Sequence, residues 1–273
     1  MPEPPDPEVN AELRDYVMSF CSGSDAERDY ALVHLGRFLR TLEITPPGTE
    51  SDRLLEMGSY LQITPAFQTK LGYGEVRGSY LGPAGKVDEK TVTSTSGETF
   101  RCLIDLFNAE SDPFPYPDGH FTTVVCCELI EHLSEDPMYL MAEVNRITKE
   151  GGWLVLSTPN TASLRSVAGV LKRGHPGLFT EYTKLKGGNA TDPRHAREYT
   201  PDEIMLLLDA SGFTMSHIET GSIGLERPTK HDWTVELLRD HGLPTDLRDD
   251  VIHVVGRKSG PVKNRYPEWL YVR

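Results

Sequence analysis

From Arg53 onward the chain alternates short apolar runs of strand character with segments of helical periodicity, and that alternation limits its fold more than any other feature. RLLEMG (53–58), EVRGSY (75–80), FRCLIDLF (100–107), HFTTVVCC (120–127), WLVLS (153–157), FTMSHIET (213–220) and VIHVVGRK (251–258) are seven candidate strands, the fourth rich in β-branched residues. Between them, Asp136-Pro137 sets an N-cap and a first-turn proline for a helix carrying Leu140, Met141, Val144 and Ile147, expected to stop at Gly151-Gly152. Thr200-Pro-Asp-Glu203 spells a capping box for a second helix, through Ile204, Leu207 and Leu208 to Gly212. Strands and helices that alternate over short connections predict an α/β fold: a doubly wound, mostly parallel, seven-stranded sheet.

Two amphipathic patterns precede the first strand, over about 10–21 and 25–42, after a Pro- and Glu-rich stretch (1–9) expected to be disordered. The expected organisation is a helical extension over 1–50, a main domain over 51–260 with an insert at 161–199, and a tail over 261–273. The 273 residues carry 41 acidic and 28 basic side chains, a net charge of -13. Such a field opposes binding to a phosphate backbone, which points to a small-molecule partner rather than nucleic acid. No apolar run reaches the ~18–20 residues needed to span a bilayer, and the N-terminus has neither the basic nor the apolar part of a secretory signal. Cys21, Cys102, Cys126 and Cys127 lack metal-knuckle spacing. Adjacent cysteines in a strand point to opposite faces, so this is buried-thiol usage, and a cytoplasmic protein is expected.

In open α/β sheets, ligands gather beyond the C-terminal ends of the strands. The residues there are Glu56, Gly58, Ser59 and Tyr60 after the first run, and Asn108-Ala109-Glu110 after the third. Glu128, Glu131 and His132 follow the fourth, and Ser157-Thr-Pro-Asn160 the fifth. NAESDPFPYPDGHFTTVVCCELIEHL, then EVNRITKEGGWLVLSTPN, then REYTPDEIMLLLDASGF, in this order and spacing, resemble class I S-adenosylmethionine-dependent methyltransferases over roughly residues 53–220. The resemblance implies a Rossmann-like fold closed by a final hairpin, with S-adenosylmethionine as methyl donor.

It also implies a cofactor cradle. Glu56 would anchor its loop or the cofactor's ammonium group, with Gly58 beside the methionine part and Tyr60 in the same loop. Only the first of the family's three alternate glycines is present. Tyr80 stands where the family carries an acid for the ribose hydroxyls, so either Tyr80 contacts the ribose differently or another group does. Asn108 matches the position that reads the adenine amino group, an Asn oxygen being able to accept while neutral. Ala109 would offer its backbone N–H to the ring, and Glu128 would complete the set.

Glu128, Glu131 and His132 are spaced i, i+3, i+4, which in one helical turn projects them from one face. Two carboxylates and an imidazole suit Mg²⁺, Mn²⁺ or Zn²⁺. With His195, ahead of Glu198-Tyr199-Thr200, they resemble the ligand set of metal-assisted O-methyltransferases. That resemblance implies Glu128, Glu131, His132 and His195 as metal ligands. The alternative is a metal-free catalytic site of His132 and Glu131, with Glu131 structural and His132 acting as a general base or simply packing.

The insert over 161–199, with Lys172, Arg173, Lys184, Lys186, Arg194 and Arg197, reads as a lid or as a solvated basic face. The aromatic YPEWLYVR at the C-terminus has two candidate seats, the core or a second subunit of a homodimer. The function expected is O-methylation of a small hydroxylated metabolite such as a sugar or glycoconjugate. The rivals are a binding or regulatory protein that keeps the fold without catalysis, and a metal-dependent RNA ribose methyltransferase.

Overall fold

The computed structural model describes residues 7–21, 23–179 and 195–272. Lys184, Lys186 and Arg194 of the basic insert, and residues 1–6, lie outside the described residues. The strands are β1 (Arg53–Met57), β2 (Glu75–Tyr80), β3 (Lys86–Thr93), β4 (Thr99–Leu106), β5 (Phe121–Cys127), β6 (Thr148–Pro159), β7 (Phe213–Gly221) and β8 (Val251–Lys258). They form one sheet in the order β3-β4-β2-β1-β5-β6-β8-β7. β4, β2, β1, β5 and β6 are parallel, and β8 runs antiparallel to both β6 and β7. The chain reverses its winding between β1 and β5, so the ends of those two strands open the crevice where ligands of such sheets lie.

Strand alternation divides the two largest core clusters between the faces of the sheet. Leu55, Met57, Val124, Cys126, Leu154 and Leu156 face one way, against helices α4 (Pro137–Ile147) and α6 (Pro201–Ala210). Leu54, Val125, Val155 and Val255 face the other, against α1 (Pro7–Phe20), α2 (Asp25–Ile44) and α3 (Thr64–Thr69). The two adjacent cysteines obey the same alternation: Cys126 belongs to the first core and Cys127 packs on the second.

The sheet has eight strands where seven were expected. The extra one, β3, pairs antiparallel with β4 and exposes nearly every residue, so its sequence, KVDEKTVT, has no buried face to betray it. Its lysines and acids are what an unprotected sheet edge carries to discourage pairing with other chains. Gly151-Gly152 also does not end α4. That helix stops at Ile147, Thr148 turns to extended backbone (ψ 132°), and β6 begins there. The glycines instead make a bend inside β6: Gly151 has φ +70°, and a Cβ on Gly152 would lie 2.7 Å from the Thr122 carbonyl oxygen. Helices α3, α5 (Leu164–Leu171) and α7 (Trp233–Asp240) were not foreseen.

The C-terminal segment sits on its own chain. Trp269, Leu270 and Tyr271 pack on the α4 core. Arg265 and the Tyr271 hydroxyl both donate to Asp136, the α4 N-cap. Among the described residues, no helix is long and apolar enough to cross a membrane.

Candidate active site

The crevice has two halves. On the β1–β2–β4 side, Glu56 ends β1 buried. Its Oε2 accepts hydrogen bonds from the Ser59 hydroxyl (2.9 Å) and from Thr64 at the start of α3. Those bonds fold the loop back on the strand, with Gly58 at φ +67°, where a side chain would be strained. Burial pushes the Glu56 carboxyl up to about 7, against the opposing pull of the two hydroxyls.

Tyr60 and Tyr80 meet at the rim of this half, their hydroxyls 2.7 Å apart and their rings edge to face. Tyr60 is 64% exposed. Asn108 follows β4, and its side-chain oxygen accepts from the Glu110 N–H (3.0 Å) within its own turn. The Asp112 carboxylate caps the Asn108 N–H at 2.8 Å. Ala109 packs on the first core beside this turn.

The other half is built by the ends of β5 and β6. Glu128 adopts φ +50°, unusual for a residue with a side chain. Its N–H donates to the Ser157 carbonyl oxygen (2.9 Å) and its Oε1 accepts from the Ser157 hydroxyl (2.8 Å). A 3₁₀ turn, η1 (Ile130–His132), follows. It turns Glu131 inward to full burial, where Oε2 accepts from Thr158 of β6 (3.0 Å) and Oε1 has no hydrogen-bond partner.

His132 stays partly exposed, its ring 5.0 Å from that of His195. The segment bearing His195 is tied down by hydrogen bonds from the Ala196 and Arg197 N–H groups to the Glu131 carbonyl oxygen (2.7 and 3.1 Å). Glu131, His132 and His195 offer ligand atoms that all lie within 4.8 Å of one another. Glu128, expected as a fourth ligand, is not in that group; its carboxylate is engaged by Ser157 and approaches Arg37 at 3.9 Å.

Burial and the nearby Glu128 carboxylate push Glu131 well above the ordinary carboxylate range. A buried carboxylate with one oxygen unmet needs either a proton or a cation. His195 Nδ1 is 2.7 Å from Glu198 Oε1, an orientation that leaves Nε2 as its available nitrogen, as a carboxylate behind a metal-binding imidazole does. Despite its burial, the hydrogen bonds from His195 and the Leu178 N–H hold Glu198 below the usual carboxylate range. The donor set and its geometry therefore fit a divalent cation.

Residues 39–218, more than half the chain, match a family described as a methyltransferase domain. The chain belongs to this methyltransferase family. It is an S-adenosylmethionine-dependent methyltransferase. Two solved structures share its fold. One is a chain of the complex between the Haloferax volcanii Trm112 methyltransferase activator and a methyltransferase (TM-score 0.50, 14% identity, covering 93% of this chain and 97% of that one). The other is a candidate S-adenosylmethionine dependent methyltransferase from Listeria monocytogenes (TM-score 0.50, 12% identity, 83% and 99% covered). No curated protein matches the chain.

Sequence reasoning gave no role of their own to three residues that shape this methyltransferase's site. Glu198 and Thr158 orient His195 and Glu131; Glu198 lies three residues after His195, a spacing that a search for carboxylates beside candidate ligands would have found. Arg37 lies on α2, buried, above the end of β5. Its one signal was Gly36, a glycine inside a helical pattern, which a packing constraint explains. A Cβ there would lie 2.1 Å from the Gly224 carbonyl oxygen, so α2 is pressed against the segment that leaves β7.

Proposed function

We propose that this methyltransferase methylates a hydroxyl of a small polyhydroxylated molecule such as a sugar, at a site where Glu131, His132 and His195 hold a divalent cation, Mg²⁺, Mn²⁺ or Zn²⁺. The observation that carries this reading is the convergence of three ligand atoms around a fully buried Glu131 whose Oε1 has no partner. When bound, the cation would lower the pKa of the acceptor hydroxyl, an otherwise poor nucleophile at neutral pH. S-adenosylmethionine supplies a sulfonium methyl group; methyl transfer forms a C–O bond, breaks the C–S bond and releases the hydroxyl proton.

The chain's own residues prepare that displacement. Glu56 orders the loop beneath the amino-acid end of the cofactor, and Asn108 with Ala109 frames its adenine. Glu198 fixes the His195 ring, and Thr158 fixes Glu131, so that the acceptor is met by a rigid set of donors. Alignment of the two reactants is the largest contribution such a site makes.

The test has a readout independent of turnover. Metal-stripped protein is titrated calorimetrically with Mn²⁺ and Zn²⁺, and the titration is repeated on Glu131→Gln and His195→Ala. Stoichiometric binding by the parent protein that both substitutions abolish is expected, together with activity lost in chelator and restored on adding metal back. Full activity in chelator with no metal binding would sink the reading.

A further inference from the structure

Nearly every partly buried arginine here is spoken for. Arg77 makes a forked pair with Asp105, Arg40 is held by Glu219 and Glu43, Arg146 by Glu143 and Asp118, Arg165 by Asp250 and two carbonyl oxygens. Arg37 is the exception and is more buried than any of them, at 6% exposure. Its guanidinium makes no hydrogen bond among the described residues. Nε is buried and unmatched, and the nearest carboxylate oxygen, on Glu128, stands 3.9 Å away. A guanidinium offers five donors in a planar fork, and leaving them unmet in a dry interior is costly.

The neighbourhood repeats the pattern. His253 of β8 is fully buried with both ring nitrogens unmatched. It pairs in register with Ser157 of β6, whose hydroxyl binds Glu128. Burial holds His253 down to about 4 while the Arg37 charge bears on it, so at neutral pH it is an uncharged donor and acceptor. His34, one turn before Arg37 on α2, has an unmatched Nδ1. Arg37 lies beside Glu128 at the end of β5 and within the field of Glu131, where the methyl acceptor enters under the reading above.

We infer that Arg37 is a specificity residue, and that the methyl acceptor carries an anionic oxygen group, a carboxylate or a phosphate, which the Arg37 guanidinium receives with His253 beside it. The acceptor is therefore a hydroxylated acid rather than a neutral sugar. The inference rests on the acceptor-pocket reading but not on the metal. The surrounding acidic protein sharpens the requirement: with a net charge of -13, an anion is held only where a local, unspent cation awaits it.

The experiment uses the full chain saturated with S-adenosylhomocysteine, in chelator, titrated with racemic glycerate, glycerol 3-phosphate and glycerol. Glycerate or glycerol 3-phosphate is expected to bind at least tenfold more tightly than glycerol, and the stronger of the two identifies the anion. Arg37→Met is expected to abolish that preference while S-adenosylhomocysteine affinity stays within twofold. The melting temperature of Arg37→Met is expected to hold or rise, since a buried guanidinium with no hydrogen bond, only a long 3.9 Å ion pair with Glu128, is removed; a purely structural arginine would lower it. Equal binding of all three probes, or a preference that survives Arg37→Met, would overturn the inference. Because no metal is present in this titration, the metal reading can fail while the anion preference stands, and the reverse.

Discussion

The two halves of the crevice treat buried polar groups in opposite ways. On the cofactor side, beneath β1, β2 and β4, buried polar side chains have partners. Glu56 accepts from Ser59 and Thr64, Asp105 from Arg77 and Tyr116, and the Tyr73 hydroxyl meets Thr123 at 2.8 Å. On the acceptor side, around β5, β6, β8 and α2, buried side-chain atoms of Glu131, Arg37 and His253 are left without a hydrogen bond among the described residues. Native interiors rarely leave such groups unmatched. A satisfied network builds shape, while a concentrated set of unmet groups marks where the protein awaits chemistry from outside. Under the proposed reading, the cofactor half is a scaffold already complete and the acceptor half is completed by its ligands.

The comparison breaks most readily at its extremes. Glu131→Gln is expected to cost between about 10²- and 10⁴-fold in methyl transfer, the range for removing a charged group that acts directly at a reacting centre, with little loss of stability. Arg77→Met should do the reverse. It strands the buried Asp105 carboxylate without its cation, and breaking such a pair costs about 3–5 kcal/mol, read as a lowered denaturation midpoint. Were Glu131→Gln to unfold the protein, or Arg77→Met to be harmless, the division into scaffold and awaiting site would be wrong.

How much of this division could be read from the sequence depends on which groups advertise themselves. Most of the seven strands were legible because they bury at least one face and so carry an apolar pattern; β3 was not, since it buries almost nothing. Glu131, His132 and His195 were legible as a candidate group from spacing and resemblance. Glu128 was misplaced among them, because an i, i+3, i+4 spacing implies one helical face only if the helix extends back to residue 128. In fact η1 begins at Ile130, and Glu128 sits in a left-handed conformation that sends it to Ser157. Arg37 was invisible for a different reason. Its significance lies in the hydrogen bonds it does not make, and their absence is a property of packing that a linear pattern does not encode.

A middle-sized effect sharpens the cofactor side. Burial raises the Glu56 carboxyl to about 7, above its value in the unfolded chain, so the folded state holds a proton that the unfolded chain has already lost. The stability tied to this group is full below about pH 4.5 and declines as pH rises through 7, by a total on the order of 3 kcal/mol. If Glu56 also meets the cofactor's ammonium group, its ionised form is the one that binds. S-adenosylhomocysteine affinity should then strengthen about tenfold between pH 6 and pH 8, and Glu56→Gln should flatten that slope. A flat profile in the parent protein would confine Glu56 to holding its loop.

The smallest effect concerns the rim. Tyr60 and Tyr80 satisfy one another in the absence of ligand, in the place where relatives of this fold are expected to carry an acid for the ribose. If they part to serve the ribose hydroxyls, each exchanges one neutral hydrogen bond for another. The net gain is then only about 1 kcal/mol. Tyr80→Phe should therefore weaken S-adenosylhomocysteine binding by roughly fivefold, and Tyr60→Phe by as much or less. The double variant decides between a shared role and a private one. If the pair acts on the ribose as a unit, the double loss is smaller than the sum of the two single losses. If the tyrosines merely close the rim on each other, neither substitution changes cofactor affinity, and the ribose is held by backbone groups alone.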